Sequence, residues 1–280
     1  MSGDKWQPIR VREVLRVLST STEPVEVLTD LGRAYLKHPM NREGAHALAC
    51  EWLGTLLAQR FGLRTFETTQ IVYDGAAKIE LSNGTATPAE CFITRYEDGY
   101  PWDGSAAHLK CLDYLDGVTK LVVLDTWLRN TDRHYIQGTQ AHRNNSNVFF
   151  ARLPRRKWCS LIAMDFSQLL IPIWPSFDLG QTERLAEDPK VYGLFPDFKP
   201  YLRRSPLEEA VEIMSSVRQE EVLEILHQIP DEWGADDEIR EVTASFLVKR
   251  ASYVKDTIEA SLSIAVPTRE KVDNGAVDVQ

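Results

Sequence analysis

The feature that most constrains this 280-residue chain is a change of texture between Glu97 and Gly104, a stretch that gathers two glycines and one proline. Before it, short β-prone runs alternate with turn signals; after it, apolar residues recur at helical spacing over long segments. Strands first and helices second is the pattern of an α+β protein rather than of alternating βαβ units. The expected organisation is an N-terminal lobe over 9–100, a mainly helical C-terminal lobe over 101–266, and a polar, frayed tail over 267–280.

Within the first part, IRVREVLRVL (9–18) reads equally as a strand or a short helix, and Ser19, Thr20, Ser21 and Thr22 end it before Pro24. VEVLTD and GRAYLKH flank Asp30, Leu31 and Gly32, which predicts a β-hairpin with Lys37 at its end. From Arg42 to Phe61, Ala45, Leu48, Ala49, Trp52, Leu53, Leu56, Leu57 and Phe61 follow a spacing of three and four, so a helix is expected there, stopped at Gly62. Residues 69–95 read as further strands with a turn at Ser82, Asn83 and Gly84. In the second part HLKCLDYL, VTKLVVLDTWLRN, SPLEEAVEIMSSV, QEEVLEILHQI and the segment from Asp236 onward predict helices, with caps from Ser205 and from Asp236 or Asp237.

Composition removes several classes of function. A net charge of −9 gives no long-range attraction for nucleic acid or an anionic membrane. No apolar run reaches the roughly 18 residues of a membrane span, and the N-terminus lacks an apolar signal core, so the cytoplasm is the expected address. The four cysteines, Cys50, Cys91, Cys111 and Cys159, are too scattered for a zinc site and read as lone buried thiols.

The chemistry concentrates in LVVLDTWLRNTDRHYIQGTQAHRNNSNVFF and LIAMDFSQ, which place Asp, Asn and Asp in the order that phosphoryl transfer to an alcohol requires. Asp132 is the candidate carboxylate at the acceptor hydroxyl. Asn147, opening NVFF, and Asp165, ending a strand-like run, are candidate Mg²⁺ ligands that one hairpin would bring together. Arg133 and His134 are candidates to orient the base or to meet phosphate. Lys37 is the candidate phosphate-binding lysine, with Glu51 on the following helix as its partner and Glu43 as the alternative. No G-x-G-x-x-G or G-x-x-x-x-G-K-[ST] motif occurs, so the hydroxyls and backbone N–H groups of Ser19 to Thr22 are what remains for a phosphate loop.

At these residues the chain resembles the HipA-like kinases, whose wider relatives include the phosphoinositide kinases with their D-R-H. YLKH resembles the family's strand lysine at Lys37, AHALACEWLGTLLAQRFGL its helix with Glu51, and LDTWLRNTDRH with NVFF and MDFS its catalytic and metal loops, together about residues 14–170. The resemblance implies a bilobal protein-kinase-like fold, ATP with Mg²⁺, and transfer of the γ-phosphate to a Ser or Thr hydroxyl, a protein substrate being expected. It also implies that any DNA-binding partner is a separate protein. The chain departs from the pattern in three places: YIQGTQAHRNNS stands between His134 and Asn147 where a short D-R-H-x-x-N is usual, Asp165 is followed by Phe166 and Ser167 without a glycine, and the nucleotide loop is rich in Ser and Thr. The first departure leaves Asn144 and Asn145 as alternatives to Asn147. A non-catalytic nucleotide-binding module and a lipid or small-molecule kinase are the competing functional readings, and Ser19 to Thr22 are candidate sites of autophosphorylation.

Overall fold

A computed structural model describes residues 5–153 and 158–263; the expected tail lies outside them. The chain opens with three antiparallel strands, β1 (Val11–Val17), β2 (Val25–Thr29) and β3 (Gly32–Lys37). The ambiguous first segment is therefore a strand, with register shifts along its pairing to β2. Helix α1 (His46–Arg60) follows, then β4 (Thr68–Tyr73), a small hairpin of β5 (Glu80–Leu81) and β6 (Gly84–Thr85), and β7 (Ala89–Arg95). The strands assemble into a five-stranded antiparallel sheet in the order β1-β2-β3-β7-β4.

Alternation along β3 decides where the candidate lysine goes. Ala34 and Leu36 are fully buried in a small core with Val25, Val27, Ile71, Cys91 and Ile93, so Lys37 faces the opposite side of the sheet. That side meets α1. Eleven of the 15 residues of α1 are buried, because the helix is wedged between the sheet and the helical part and needs apolar residues on most of its circumference. Burying side chains such as Leu48, Leu53 and Leu57 contributes about 1.5–3 kcal/mol each. Gly62, at φ +69°, ends the helix in the left-handed conformation expected of a C′ glycine.

Beyond Tyr96, β8 (Gly99–Pro101) pairs with β11 (Val148–Arg152), which pairs with β12 (Cys159–Ala163) in a second, three-stranded sheet. Between them lie α2 (Ala106–Leu109), α3 (Asp116–Leu128) and a hairpin of β9 (His134–Gln137) and β10 (Gln140–Arg143). The long helix expected at HLKCLDYL does not form. Its backbone pairs with β12 instead, Cys159 N–H donating to Cys111 O at 2.8 Å and Asp113 N–H to Cys159 O at 2.9 Å, and this tertiary pairing overrides the local helical pattern. Helices α4 (Thr182–Ala186), α5 (Arg204–Ser216), α6 (Gln219–Leu226) and α7 (Asp237–Leu262) follow among the described residues. Asp236 caps α7 by accepting from Ile239 N–H at 2.9 Å. Ser205 does not cap α5: it lies inside the first turn, and the flanking Arg203 N–H is satisfied by Thr119 Oγ1 of α3 at 3.0 Å.

Among the described residues no helix is long and apolar enough to cross a membrane. The cysteines are all free; Cys50, Cys91 and Cys159 are buried, whereas Cys111 is only half-buried.

Candidate active site

The site forms where α1, the end of β3 and the end of the β11–β12 hairpin meet. Lys37 Nζ is ion-paired with Glu51 on α1 and lies 3.3 Å from Asp165 Oδ1. Burial opposes the charge of Lys37, but Asp165 and Glu51 outweigh it and hold the ammonium above its ordinary pKa. Burial raises the pKa of Glu51, with Asp165 adding to the rise and Lys37 opposing it. Asp165 feels the same burial, but there the Lys37 charge prevails and keeps the carboxyl below its ordinary value. Glu51 also accepts the backbone N–H of Phe166 at 3.2 Å. One carboxylate thus ties the strand lysine to the segment that follows Asp165. Glu43, the alternative partner, makes no ion pair with Lys37.

Asp165 stands in the left-handed region at φ +59°, a conformation that costs an ordinary residue about 1–3 kcal/mol and persists only where the surroundings enforce it. Phe166 supplies the enforcement. Its ring is fully buried in the main core and lies over Gly54 of α1, where a Cβ would sit 2.8 Å from Phe166 Cδ1 and closer still to Cβ and Cγ. With Phe166 anchored inward, the Asp165 carboxylate is turned toward Lys37.

The second half of the site follows α3. Arg129, at φ +54°, ends that helix, and the fully buried Asn130 organises the next turn: its Oδ1 accepts Asp132 N–H at 3.2 Å, and its Nδ2 donates to Asp125 Oδ1 at 3.0 Å. The Asp132 carboxylate accepts Asn147 Nδ2 at 2.6 Å on one oxygen and Asn144 Nδ2 at 3.3 Å on the other. His142, on β10, approaches that second oxygen at 3.5 Å. The inserted YIQGTQAHR is therefore a β-hairpin that curls back over Asp132, with Gly138 at φ +61° in its turn. Asp132 keeps about a quarter of its side chain exposed, at 24%.

Asn147 immediately precedes Val148, whose strand partner is Ala163, so Asn147 and Asp165 emerge at the same end of one hairpin. Asn145 accepts from Arg143 Nε at 2.8 Å, and Asn144 bridges Ser146 and Asp132.

Arg133 and His134 are placed differently from the rest. Arg133 is fully buried, its guanidinium bonded to Asp125 and to main-chain carbonyls, so it is not presented to a phosphate in the cleft. His134 is buried beside Phe195, with ring centroids 5.2 Å apart, and burial lowers its pKa. Neither side chain contacts the Asp132 carboxylate.

Ser19, Thr20 and Ser21 are exposed in the β1–β2 turn. Val17 pairs with Val25, and Val25 with Leu36, so this turn stands at the Lys37 end of the sheet. Among the described residues the amides of Ser21 and Thr22 have no acceptor. Thr22 is buried, and Glu23, at φ +44°, anchors the turn by accepting Ser82 N–H at 2.9 Å. Asp125, Asn130, Gly54 and Glu23 were not singled out by sequence. Only Asn130 carried a local signal, its position two residues before Asp132.

The amino-acid sequence matches no family model and no curated protein. By structure, the chain is similar to the Helicobacter pylori proinflammatory kinase CtkA, with TM-score 0.54 and 13% identity over 89% of this chain and 94% of that one. Weaker likenesses are to Shewanella oneidensis HipA, solved with HipB and operator DNA, with TM-score 0.42 and 11% identity over 94% of this chain and 70% of that one. The Mycobacterium tuberculosis PknI kinase domain follows with TM-score 0.27 and 12% identity over 89% of this chain and 99% of that one. A five-stranded N-terminal sheet, a helix bearing Glu51 against its lysine, and a mainly helical second part, together with the likeness to CtkA, give this chain a bilobal α+β fold of the protein-kinase-like type.

Proposed function

We propose that the chain is a HipA-like, ATP-dependent phosphotransferase that moves the γ-phosphate of ATP to a Ser or Thr hydroxyl of a protein. The observation that carries this reading is the tie among Lys37, Glu51 and Asp165, formed within hydrogen-bonding reach of the turn that presents Asp132: Asn130 bonds the backbone of Asp132 and lies 3.5 Å from Asp165 O.

The donor set fits a hard divalent cation. Asn147 spends its amide nitrogen on Asp132, which leaves its oxygen open, and Lys37 and Ser167 both meet Asp165 at Oδ1. No group of three or more His, Cys, Asp or Glu among those residues forms a closed metal cage. One amide and one carboxylate, completed by phosphate oxygens, is the kind of set that holds Mg²⁺ beside a nucleotide. Mg²⁺, when bound, neutralises charge on the phosphates.

In this reading Lys37 binds the α- and β-phosphates, and Glu51 holds its Nζ in place. The free amides of the β1–β2 turn face the phosphates, as backbone N–H groups do in anion-binding loops. Asp132 orients the acceptor hydroxyl and takes its proton as the oxygen bonds to the γ-phosphorus and the bond to the ADP oxygen breaks. The products are ADP and the phosphoester, with the proton passing from Asp132 to water. Any contact with DNA we assign to a separate partner, given the net charge of −9.

Asp132→Asn keeps the shape and removes the proton acceptor. Phosphate release or autophosphorylation from radiolabelled ATP should fall by at least about 100-fold. Unchanged turnover in that variant excludes Asp132 as the base, and a wild-type protein that binds ATP without turning it over is a non-catalytic nucleotide-binding module.

A further inference from the structure

Arg133, a candidate from sequence to orient the base or to meet phosphate, is found wholly inside, where its bonds have an order that burial alone does not explain. Nε donates to Asp125 Oδ2 at 2.6 Å, one terminal nitrogen donates to the carbonyl of Asn147, and the other donates to the carbonyl of Met164 at 2.8 Å. The two carbonyls belong to the first proposed metal ligand itself and to the residue immediately before the second. A planar, rigid fork therefore spans the two strands of the hairpin at the level from which Asn147 and Asp165 emerge. Asp125 holds the fork from behind. It is itself held by Asn130 Nδ2 at 3.0 Å, and Gly193, at φ +73°, comes so close that a Cβ there would lie 2.9 Å from Asp125 Cγ.

We propose that Arg133, with Asp125 as its anchor, is a positioning residue that fixes the spacing of Asn147 and Asp165 and thereby selects Mg²⁺ over Ca²⁺. The proposal rests on the phosphotransferase reading above. The physical reason lies in the cations: Mg²⁺ demands a near-octahedral shell at about 2.0–2.1 Å, whereas Ca²⁺ accepts about 2.3–2.6 Å and irregular geometry. A hairpin end locked by three charge-assisted bonds cannot relax to the longer distances. Once unlocked, it can.

The test is calorimetric nucleotide binding on the full chain with Mg²⁺ and then Ca²⁺, in wild type, Arg133→Lys and Asp125→Asn. Lysine keeps the charge but cannot bridge both carbonyls and Asp125 together, and the Asp125→Asn change keeps the shape while weakening the anchor. Wild type should bind Mg-ATP more tightly than Ca-ATP. In Arg133→Lys the Mg-ATP affinity should fall by about 10- to 100-fold, as for other residues that orient metal ligands, while Ca-ATP affinity changes far less, so that the ratio collapses. Asp125→Asn should move the ratio in the same direction by a smaller factor and serves as the deciding variant if Arg133→Lys does not fold. A fall in both affinities by the same factor, or no change in the ratio in the folded variants, overturns the proposal while leaving the kinase reading intact. Absence of any metal-dependent nucleotide binding in wild type overturns both.

Discussion

Gly54→Ala sets two effects of opposite sign against each other inside α1. In an exposed helix interior the change gains about 1 kcal/mol from propensity alone. Here the new Cβ would stand 2.8 Å from Phe166 Cδ1 and closer to two other atoms of that residue, against a normal carbon–carbon separation of about 3.5–4.0 Å. Phe166 must then retreat by roughly 1 Å or more, and overpacking of this kind costs about 1–3 kcal/mol. The two effects predict a net destabilisation of only about 0–2 kcal/mol. The consequence for the site is larger. Phe166 N–H is bonded to Glu51, and Asp165 lies next in the chain, 3.3 Å from Lys37, so a displaced ring moves both carboxylates. We predict that Gly54→Ala lowers Mg-ATP affinity by at least about tenfold, equivalent to about 1.4 kcal/mol, with only a modest shift of the urea midpoint. Gly54→Ala combined with Phe166→Leu should recover affinity, because the smaller side chain restores the space. Full Mg-ATP affinity and unchanged stability in the single variant would refute the argument that Phe166 packing aims Asp165.

Three other outcomes follow from the same geometry. Lys37→Met leaves Glu51, only 3% exposed, and Asp165 without their shared cation, so denaturation should show a loss of about 3 kcal/mol or more, partly regained in Lys37→Met/Glu51→Leu. His38 is fully buried, with Nε2 bonded to Thr87 O and Nδ1 accepting Met40 N–H at 3.1 Å; burial lowers its pKa below the ordinary 6.5. The unfolded chain therefore binds this proton more readily than the native one, and the stability contribution is present above about pH 6.5 and is lost as pH falls through the lower native value. Urea midpoints compared at pH 7.5 and 5.5 should differ less in His38→Gln than in wild type. Mass spectrometry after incubation with Mg-ATP should find phosphate on Ser19, Thr20 or Ser21, which are exposed, and none on Thr22, which is buried; an unmodified turn rejects autophosphorylation there.

The parts of the fold visible in the sequence are those set by local rules. Asp30 to Gly32 between two β-prone runs gave the β2–β3 hairpin, and the three-and-four spacing from Leu48 to Phe61, closed by Gly62, gave α1. Lys37, Glu51, Asn147 and Asp165 could be picked out because each sits on or beside such an element. The misreadings arose where distant partners decide. HLKCLDYL lost its helix to pairing with β12, and Ser205 lost its capping role because the helix begins one residue before it, at Arg204. The hairpin after His134 carries polar residues on both strands and offers no apolar alternation to betray it. Arg133 read as a residue to orient the base or meet phosphate because nothing local shows that Asp125, eight residues earlier, faces it across a helix end. Gly54 is silent in sequence for a similar reason: its meaning comes from a ring more than a hundred residues away.

The measurement that tests the central claim most directly is calorimetric binding of Mg-ATP to wild type and to Asp165→Ala, since it needs no knowledge of the acceptor. The account predicts magnesium-dependent binding in wild type and its loss in the variant, with the fold retained. Equal binding in the two proteins, or none in wild type at millimolar ATP, would contradict a kinase site built on Lys37, Glu51 and Asp165.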